Sequence, residues 1–220
     1  MEGKLIVFEG VEGAGKTTQM QRLIHWLPKN CSTIKNFVAT REPGGTELGK
    51  ALRRLLLEPG SEELVSNRAE LLMYAADRSQ HVETFLKPKL ALGTMVLCDR
   101  FTDSTIAYQG YGRGLNLDLI EQLNAIATGG LQSDLTFWLD IDVSKGLARA
   151  RARGECDRME QADLAFHQRV QQGFAELTRQ NPDRIMRINA DRTEDEVAQE
   201  IQTILSSKLA AWGYGKSSEF

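Results

Sequence analysis

The sequence predicts an α/β fold with a parallel sheet flanked by helices. Three observations carry that prediction. Short apolar strand candidates alternate with segments of helical periodicity, a glycine-rich turn joins the first strand to the first helix, and a capping-box signature opens a closing helix. Taken in order, residues 5–9 form a continuous apolar strand that ends in a carboxylate, and Met20, Leu23, Ile24 and Leu27 then recur at helical spacing. Residues 34–40 are a second strand candidate, broken by Arg41-Glu42-Pro43-Gly44-Gly45. Leu48, Leu52, Leu55 and Leu56 make the next helical stripe. Pro59-Gly60-Ser61 marks a turn before a long helical stretch running toward Leu86. Met95-Val96-Leu97-Cys98-Asp99 is a third strand, and residues 135–141 and 184–188 read as two more. Thr193 with Glu196 fits a capping box, followed by Val197, Ile201, Ile204 and Leu205 on one helical face.

Composition narrows the class. At 220 residues the chain has the size of one α/β domain. With 41% hydrophobic and 26% charged residues it is globular rather than disordered or fibrous. No repeat or linker interrupts it, so residues 1–212 are expected to form a single domain, with 213–220 a loose tail. A net charge of −3 provides no basic field for nucleic acid, and no apolar run approaches a membrane span. The N-terminal apolar stretch is too short for a signal peptide. Cys31, Cys98 and Cys156 are far apart and lack metal-ligand spacing, as expected of incidental thiols in a reducing compartment. The expected location is cytoplasmic, with neither nucleic acid nor membrane as partner.

Gly10-Val11-Glu12-Gly13-Ala14-Gly15-Lys16-Thr17 satisfies the phosphate-loop pattern, in the required place between a strand and a helix. Glycines let backbone N–H groups wrap an anion, and the helix N-terminus adds partial positive charge. Lys16 is suited to bridge the terminal phosphates of ATP and Thr17 to ligate Mg²⁺. This motif alone does not separate kinase, GTPase and ATPase. The guanine-reading N-K-x-D string and the D-x-x-G switch are both absent, and the third strand ends instead in Asp99-Arg100. Asp99 is placed to reach a metal through water, and Arg100 to clamp a second phosphate, although a surface ion pair is the plain alternative for Arg100.

A basic segment follows at about 145–160, with Lys145, Arg149, Arg151, Arg153 and Arg158. On a helix Arg149 and Arg153 share a face and Arg151 points away, which suits a lid closing over phosphates; the alternative is a solvated basic face. None of the three histidines sits in a motif. An acceptor that is already a phosphate needs no general base, so abundant arginine without a dedicated base leans toward a nucleoside monophosphate, with Asp99, Asp103 and Glu12 remaining as candidate bases.

Several strings together resemble bacterial thymidylate kinase. They are the phosphate loop with its acidic third position, Thr40-Arg41-Glu42-Pro43-Gly44-Gly45-Thr46, Asp99-Arg100-Phe101 with Ser104, Thr105 and Ala107-Tyr108-Gln109-Gly110, Ser133-Asp134-Leu135-Thr136, and the arginine-rich lid. The resemblance spans residues 5–209. It implies a P-loop NTPase-type kinase fold with a five-stranded parallel sheet, usually homodimeric, converting ATP and dTMP to ADP and dTDP with Mg²⁺. It implies that Tyr74 stacks on thymine, Arg78 reads the base carbonyl, and Thr105 and Gln109 contact the base edge. Arg41, Arg53 and Arg100 would hold the acceptor phosphate, Glu12 would lie near the sugar hydroxyl and metal, and Tyr108 near the sugar. Residues 189–191 resemble the stretch near adenine. With no arginine inside the loop, the chain is similar to the lid-arginine subtype, in which Arg149 and Arg153 would supply the catalytic charge. Two positions depart from the common pattern: Tyr74, often Phe, and Phe101, often Tyr. From the residues alone, Tyr74 among Leu71, Leu72 and Met73 reads as core, and Arg78 beside Asp77 as a surface pair. Only the resemblance places those two in a site.

Overall fold

The computed structural model describes residues 2–31, 33–34, 36–58, 65–154 and 157–214. Five parallel strands, β1 (Leu5–Glu9), β2 (Phe37–Arg41), β3 (Met95–Asp99), β4 (Leu135–Asp140) and β5 (Ile185–Asn189), lie in the order β2-β3-β1-β4-β5. The central β1 is buried at every position, as a strand covered on both faces must be. Its side chains alternate between two cores. Ile6 and Phe8 join Leu97, Phe137, Leu23, Phe174 and Ile201, while Leu5 and Val7 join Val96, Cys98, Val82 and Leu86.

The helices are α1 (Lys16–Asn30), α2 (Glu47–Leu57), α3 (Asn67–His81), α4 (Lys87–Ala91), α5 (Thr102–Thr105), α6 (Leu117–Thr128), α7 (Val143–Arg151), α8 (Leu164–Gln180) and α9 (Glu194–Ala211), with π-helical turns at Val82–Leu86 and Ile106–Gly112. Side chains cap α2 (Thr46), α3 (Ser66), α6 (Asn116), α7 (Asp142) and α8 (Asp163), and the Thr193–Glu196 capping box opens α9. Helix α1 has no side-chain cap: Gly15 stands there in left-handed conformation, leaving its first N–H groups to an external acceptor.

The boundaries shift in particular places. β2 starts at Phe37 rather than residue 34, because Ile34 donates its N–H to Cys31 in a turn. Helical backbone after Asn67 runs on to Ala91 through the π-helical turn, and the turn expected at residues 59–61 lies outside the described residues. Of the residues expected in a loose tail, Gly213 and Tyr214 are described and held in place. Tyr214 is buried and its hydroxyl donates to the Glu2 carbonyl at 3.1 Å, while residues 215–220 lie outside the described residues. Cys31 and Cys98 are buried, and Cys156 is outside the described residues. Among the described residues, no helix is long and apolar enough to cross a membrane.

Parallel pairing of β1 with β3 and β4 sets their C-terminal ends side by side, with Phe8 opposite Asp99, Glu9 opposite Trp138 and Arg41 opposite Asp99. The strand order reverses at β1, and a crevice opens beyond these ends, where open parallel sheets place their ligands.

Candidate active site

The phosphate loop leaves β1 and enters α1 with Gly13 at φ 72° and Gly15 at φ 91°. Gly13 is also a point of close approach: a Cβ there would collide with the Gly146 carbonyl oxygen on α7. The loop and α7 therefore touch backbone to backbone. Lys16 is buried and donates to the carbonyls of Gly10 (2.9 Å) and Val11 (3.1 Å), which curl the loop around the ammonium. Burial, aided by Arg100, lowers its pKa to about 8. Thr17 lines the cleft beside it.

At the end of β3, Asp99 has a buried Oδ1 with no hydrogen-bond partner. A buried carboxylate oxygen is rarely left so, and it suits a water or a hydrated cation in the cleft that Asp99 lines. No group of three or more His, Cys, Asp or Glu suited to a metal occurs among the described residues.

Arg100 has φ 70°, in the left-handed region. That conformation costs a non-glycine residue about 1 kcal/mol or more. Its surroundings hold it there. Its Nη2 donates to Glu12 at 2.8 Å, its Nη1 to Ser104 at 3.1 Å, and the guanidinium lies 4.8 Å from the Tyr108 ring centroid. Glu12 also accepts from the Tyr108 hydroxyl at 2.8 Å. Burial pushes the Glu12 carboxyl up, but Arg100 and Lys16 outweigh it and hold it below the usual range. Behind this cluster, Glu9 accepts from the backbone N–H of Phe101 (2.9 Å) and Ser104 (3.1 Å) and from the Ser104 hydroxyl (2.5 Å). It ties down the turn that carries Arg100. Asp103 accepts from both Nη atoms of Arg184 at 2.7 and 2.8 Å, so it is not free to take a proton from a substrate.

The far end of the cleft is built on α3. Arg78 is 2% exposed and donates to Glu42 (2.8 Å), Thr105 (2.6 Å), Asn124 (2.9 Å) and the Phe101 carbonyl (3.0 Å). A guanidinium carries five N–H donors, so one Nη2 hydrogen is left unassigned. The surface pair with Asp77 does not form. Asp77 is buried and accepts from the Gly44 N–H instead, and burial raises its pKa to about 6. Tyr74 is half-buried and lines the cleft rather than filling the core, its hydroxyl pKa raised first by burial and then by Glu70. Thr105, Tyr108, Gln109, Arg41 and Arg53 line the same cleft, and Arg53 donates to the Pro43 carbonyl at 3.0 Å.

Lys16, Arg100 and Tyr74 thus border one continuous cleft. An adjoining hollow runs from Gly13, Ala14 and Gly15 to Ala190 and Arg192. Arg149 faces that hollow and Arg153 both spaces, whereas Arg151 borders neither. Both Arg149 and Arg153 are exposed, and Arg153 reaches Glu160 at 3.4 Å. Gly10 and Val11 contribute carbonyls to Lys16 rather than surface to the cleft.

Several contributors carry no local sequence signal. Glu9, Glu42, Glu70 and Asn124 act by orienting arginines and amides across the fold, which no short spacing announces. His167 is also buried, its Nδ1 3.6 Å from Glu12. Arg158, expected in the lid, docks instead on α2 and α3.

A family profile described as thymidylate kinase matches residues 8–201. The chain belongs to the thymidylate kinase family. Among relatives, the thymidylate kinase of Trichodesmium erythraeum is 60% identical over 225 residues, covering 97% of this chain and 100% of that protein. The one from Nostoc punctiforme is 62% identical over 210 residues, covering 95% and 98%. The crystal structure of thymidylate kinase from Ehrlichia chaffeensis superposes with a TM-score of 0.76 at 36% identity, covering 93% of this chain and 100% of that one. The parallel five-stranded sheet is accordingly that of a P-loop kinase, and the family is one of nucleoside monophosphate kinases.

Proposed function

We propose that the chain transfers the γ-phosphoryl group of ATP to dTMP, giving ADP and dTDP. The observation that carries this reading is the single cleft joining Lys16 of the phosphate loop to Tyr74 and Arg78, with arginines between the two ends. A donor phosphate at the loop and the phosphate of a nucleotide whose base lies at α3 would meet at Arg100. In this reading the phosphate-loop amides and Lys16 hold the donor, and Arg41, Arg53 and Arg100 hold the acceptor phosphate. Tyr74 stacks on the base, the spare Nη2 hydrogen of Arg78 meets its carbonyl, Thr105 and Gln109 border its edge, and Tyr108 and Glu12 border the sugar. The acceptor oxygen is already ionised, so no side chain need remove a proton. Catalysis rests on positioning and on positive charge, to which Arg149 and Arg153 add when they turn toward the phosphates.

Mg²⁺ fits the unpartnered Oδ1 of Asp99, reached through water, and the Thr17 hydroxyl. When bound it would screen the charge on the transferring phosphates. A homodimer is supported by apolar side chains left exposed on adjacent helices, Leu48 and Leu55 on α2, Leu72 on α3 and Ile126 (77% exposed) on α6. A group of exposed apolar side chains of this kind marks an interaction surface. A cytoplasmic setting accords with the buried Cys98 thiol and the need for ATP.

The test is ADP release with dTMP, dUMP, CMP, AMP and shikimate as acceptors. We expect dTMP to be the best substrate and Lys16→Ala to abolish acceptor-dependent turnover. Activity on AMP without activity on dTMP would overturn the assignment, and nucleotide binding with no acceptor-dependent turnover would make the chain a binding module.

A further inference from the structure

Glu70 on α3 is fully buried and bonds to none of the residues that the proposed reaction uses except Gln109. Its Oε1 accepts from the Gln109 amide nitrogen at 2.8 Å and from Arg113 at 3.3 Å, and its Oε2 from Arg113 at 3.2 Å and Arg158 at 2.5 Å. Burial alone would push this carboxyl up, but the bonds from Gln109 and Arg113 outweigh it and hold it ionised. An ionised carboxylate only accepts hydrogen bonds, so the end of the Gln109 amide that faces it must be the NH₂ group. The amide oxygen is then the end left for the cleft that Gln109 lines.

Arg158 carries the same network to the segment after α7. It donates to the Leu56 carbonyl at 2.8 Å, and its own backbone N–H donates to the Leu57 carbonyl at 3.1 Å. These bonds fasten its neighbours Asp157 and Met159, which line the cleft, against the end of α2. Arg113 reaches the Met159 sulfur at 3.6 Å from the other side. A buried carboxylate between two guanidiniums is weak evidence for stability, since apolar groups of like volume often serve as well. What such a network does provide here is a single orientation for each of its members.

We propose that Glu70 is a specificity-determining positioning residue, which turns the Gln109 amide oxygen toward the base so that the pocket accepts a base with a hydrogen-bond donor at N3. The proposal rests on the reading of this cleft as the dTMP site. Thymine and uracil carry N3–H, whereas cytosine presents an N3 lone pair and would face the amide oxygen acceptor to acceptor. A site that leaves a buried polar group unpaired rejects the wrong ligand strongly. Through Arg158, the same carboxylate makes residues 157–159 part of the pocket wall. Loss of that docking weakens any nucleotide without altering which base is preferred.

The test compares dTMP and dCMP binding by calorimetry in the wild type, Glu70→Gln and Arg158→Met. A glutamine at position 70 both donates and accepts, so the Gln109 amide is free to flip. We expect Glu70→Gln to reduce the dTMP-to-dCMP affinity ratio by about tenfold or more, and Arg158→Met to weaken both ligands while keeping the ratio. If Glu70→Gln alone does not fold, its combination with Arg158→Met, which leaves one fewer unpaired guanidinium, is read in the same way. An unchanged ratio in the Glu70 variants, or an equal loss of ratio in Arg158→Met, overturns the proposal. A wild type that binds dCMP as tightly as dTMP instead overturns the reading of the cleft itself.

Discussion

The buried carboxyl of Glu9 provides a quantitative test of how the Arg100 turn is held. Burial, opposed in part by Arg100, raises its pKa from an ordinary 4.5 to about 7. In the folded state it therefore keeps its proton over a range where the unfolded chain has already lost it. The unfolded state binds fewer protons there, so the contribution of Glu9 to stability falls as pH rises. Below the unfolded value this cost is absent, and above the folded value it is complete. At about 1.4 kcal/mol per pH unit the full cost is roughly 3 kcal/mol, of which roughly 2.5 kcal/mol falls between pH 5 and pH 8. Glu9→Gln removes the titration while mimicking the protonated acid. Its amide oxygen can accept from the Phe101 and Ser104 N–H groups, and its NH₂ can donate to the Ser104 hydroxyl, which in the wild type lies 2.5 Å from the carboxylate. Urea unfolding of both proteins without nucleotide, at about pH 5 and about pH 8, isolates the effect, because the other titrating groups are common to the two. The stability difference should swing toward the variant by up to roughly 2.5 kcal/mol at the higher pH. A difference that is the same at both pH values would refute the reasoning.

Three further outcomes are expected. Arg149→Ala and Arg153→Ala should each lower turnover by about tenfold or more, about 1.4 kcal/mol of transition-state stabilisation, with a smaller change in dTMP affinity; wild-type rates in both would make the segment a solvated face. Gly146→Ala should disturb the phosphate loop, because the new Cβ would stand 2.6 Å from the Glu12 carbonyl oxygen. Overpacking against backbone should cost about 1–3 kcal/mol of stability and raise KM for ATP more than KM for dTMP, and unchanged ATP kinetics would show that the loop does not bear on α7. His167→Phe should leave the melting temperature little changed, because Glu12, 3.6 Å from the imidazole, keeps its closer bonds to Arg100 and Tyr108. A drop of several degrees, or a large loss of turnover, would mean that the imidazole holds Glu12 in place.

The local parts of the fold are legible in the sequence because they depend on short-range rules. The apolar runs of β1 and β3, the phosphate loop between β1 and α1, and the Thr193–Glu196 capping box follow from spacing and side-chain chemistry. Helices α6 and α8 and the π-helical turns are not legible in the same way. Their mixed apolar and polar residues acquire a buried side only against α3 and the Ile106–Gly112 turn. In the site, the string containing Lys16 and Thr17 announces itself, and Asp99-Arg100 is recognisable from its place after a strand. Tyr74 is ambiguous, because a tyrosine among leucines reads as core until the helix that carries it is docked. Arg78 pairs with Glu42, which lies 36 positions away. Adjacent Asp77 turns to Gly44, and nothing in the interval between Glu42 and Arg78 signals either partner.

By itself the sequence determined a phosphate-binding α/β protein, because a glycine-rich turn between an apolar strand and a helix is a local property of the chain. Resemblance across several motifs added the kinase family. Only the tertiary structure decided how the cleft is held. It set Glu9 beneath the Arg100 turn, locked Arg78 among four partners, and put Glu70 behind Gln109. Those contacts join elements far apart in the chain, and a buried charge acquires its partners only when the sheet brings those elements together.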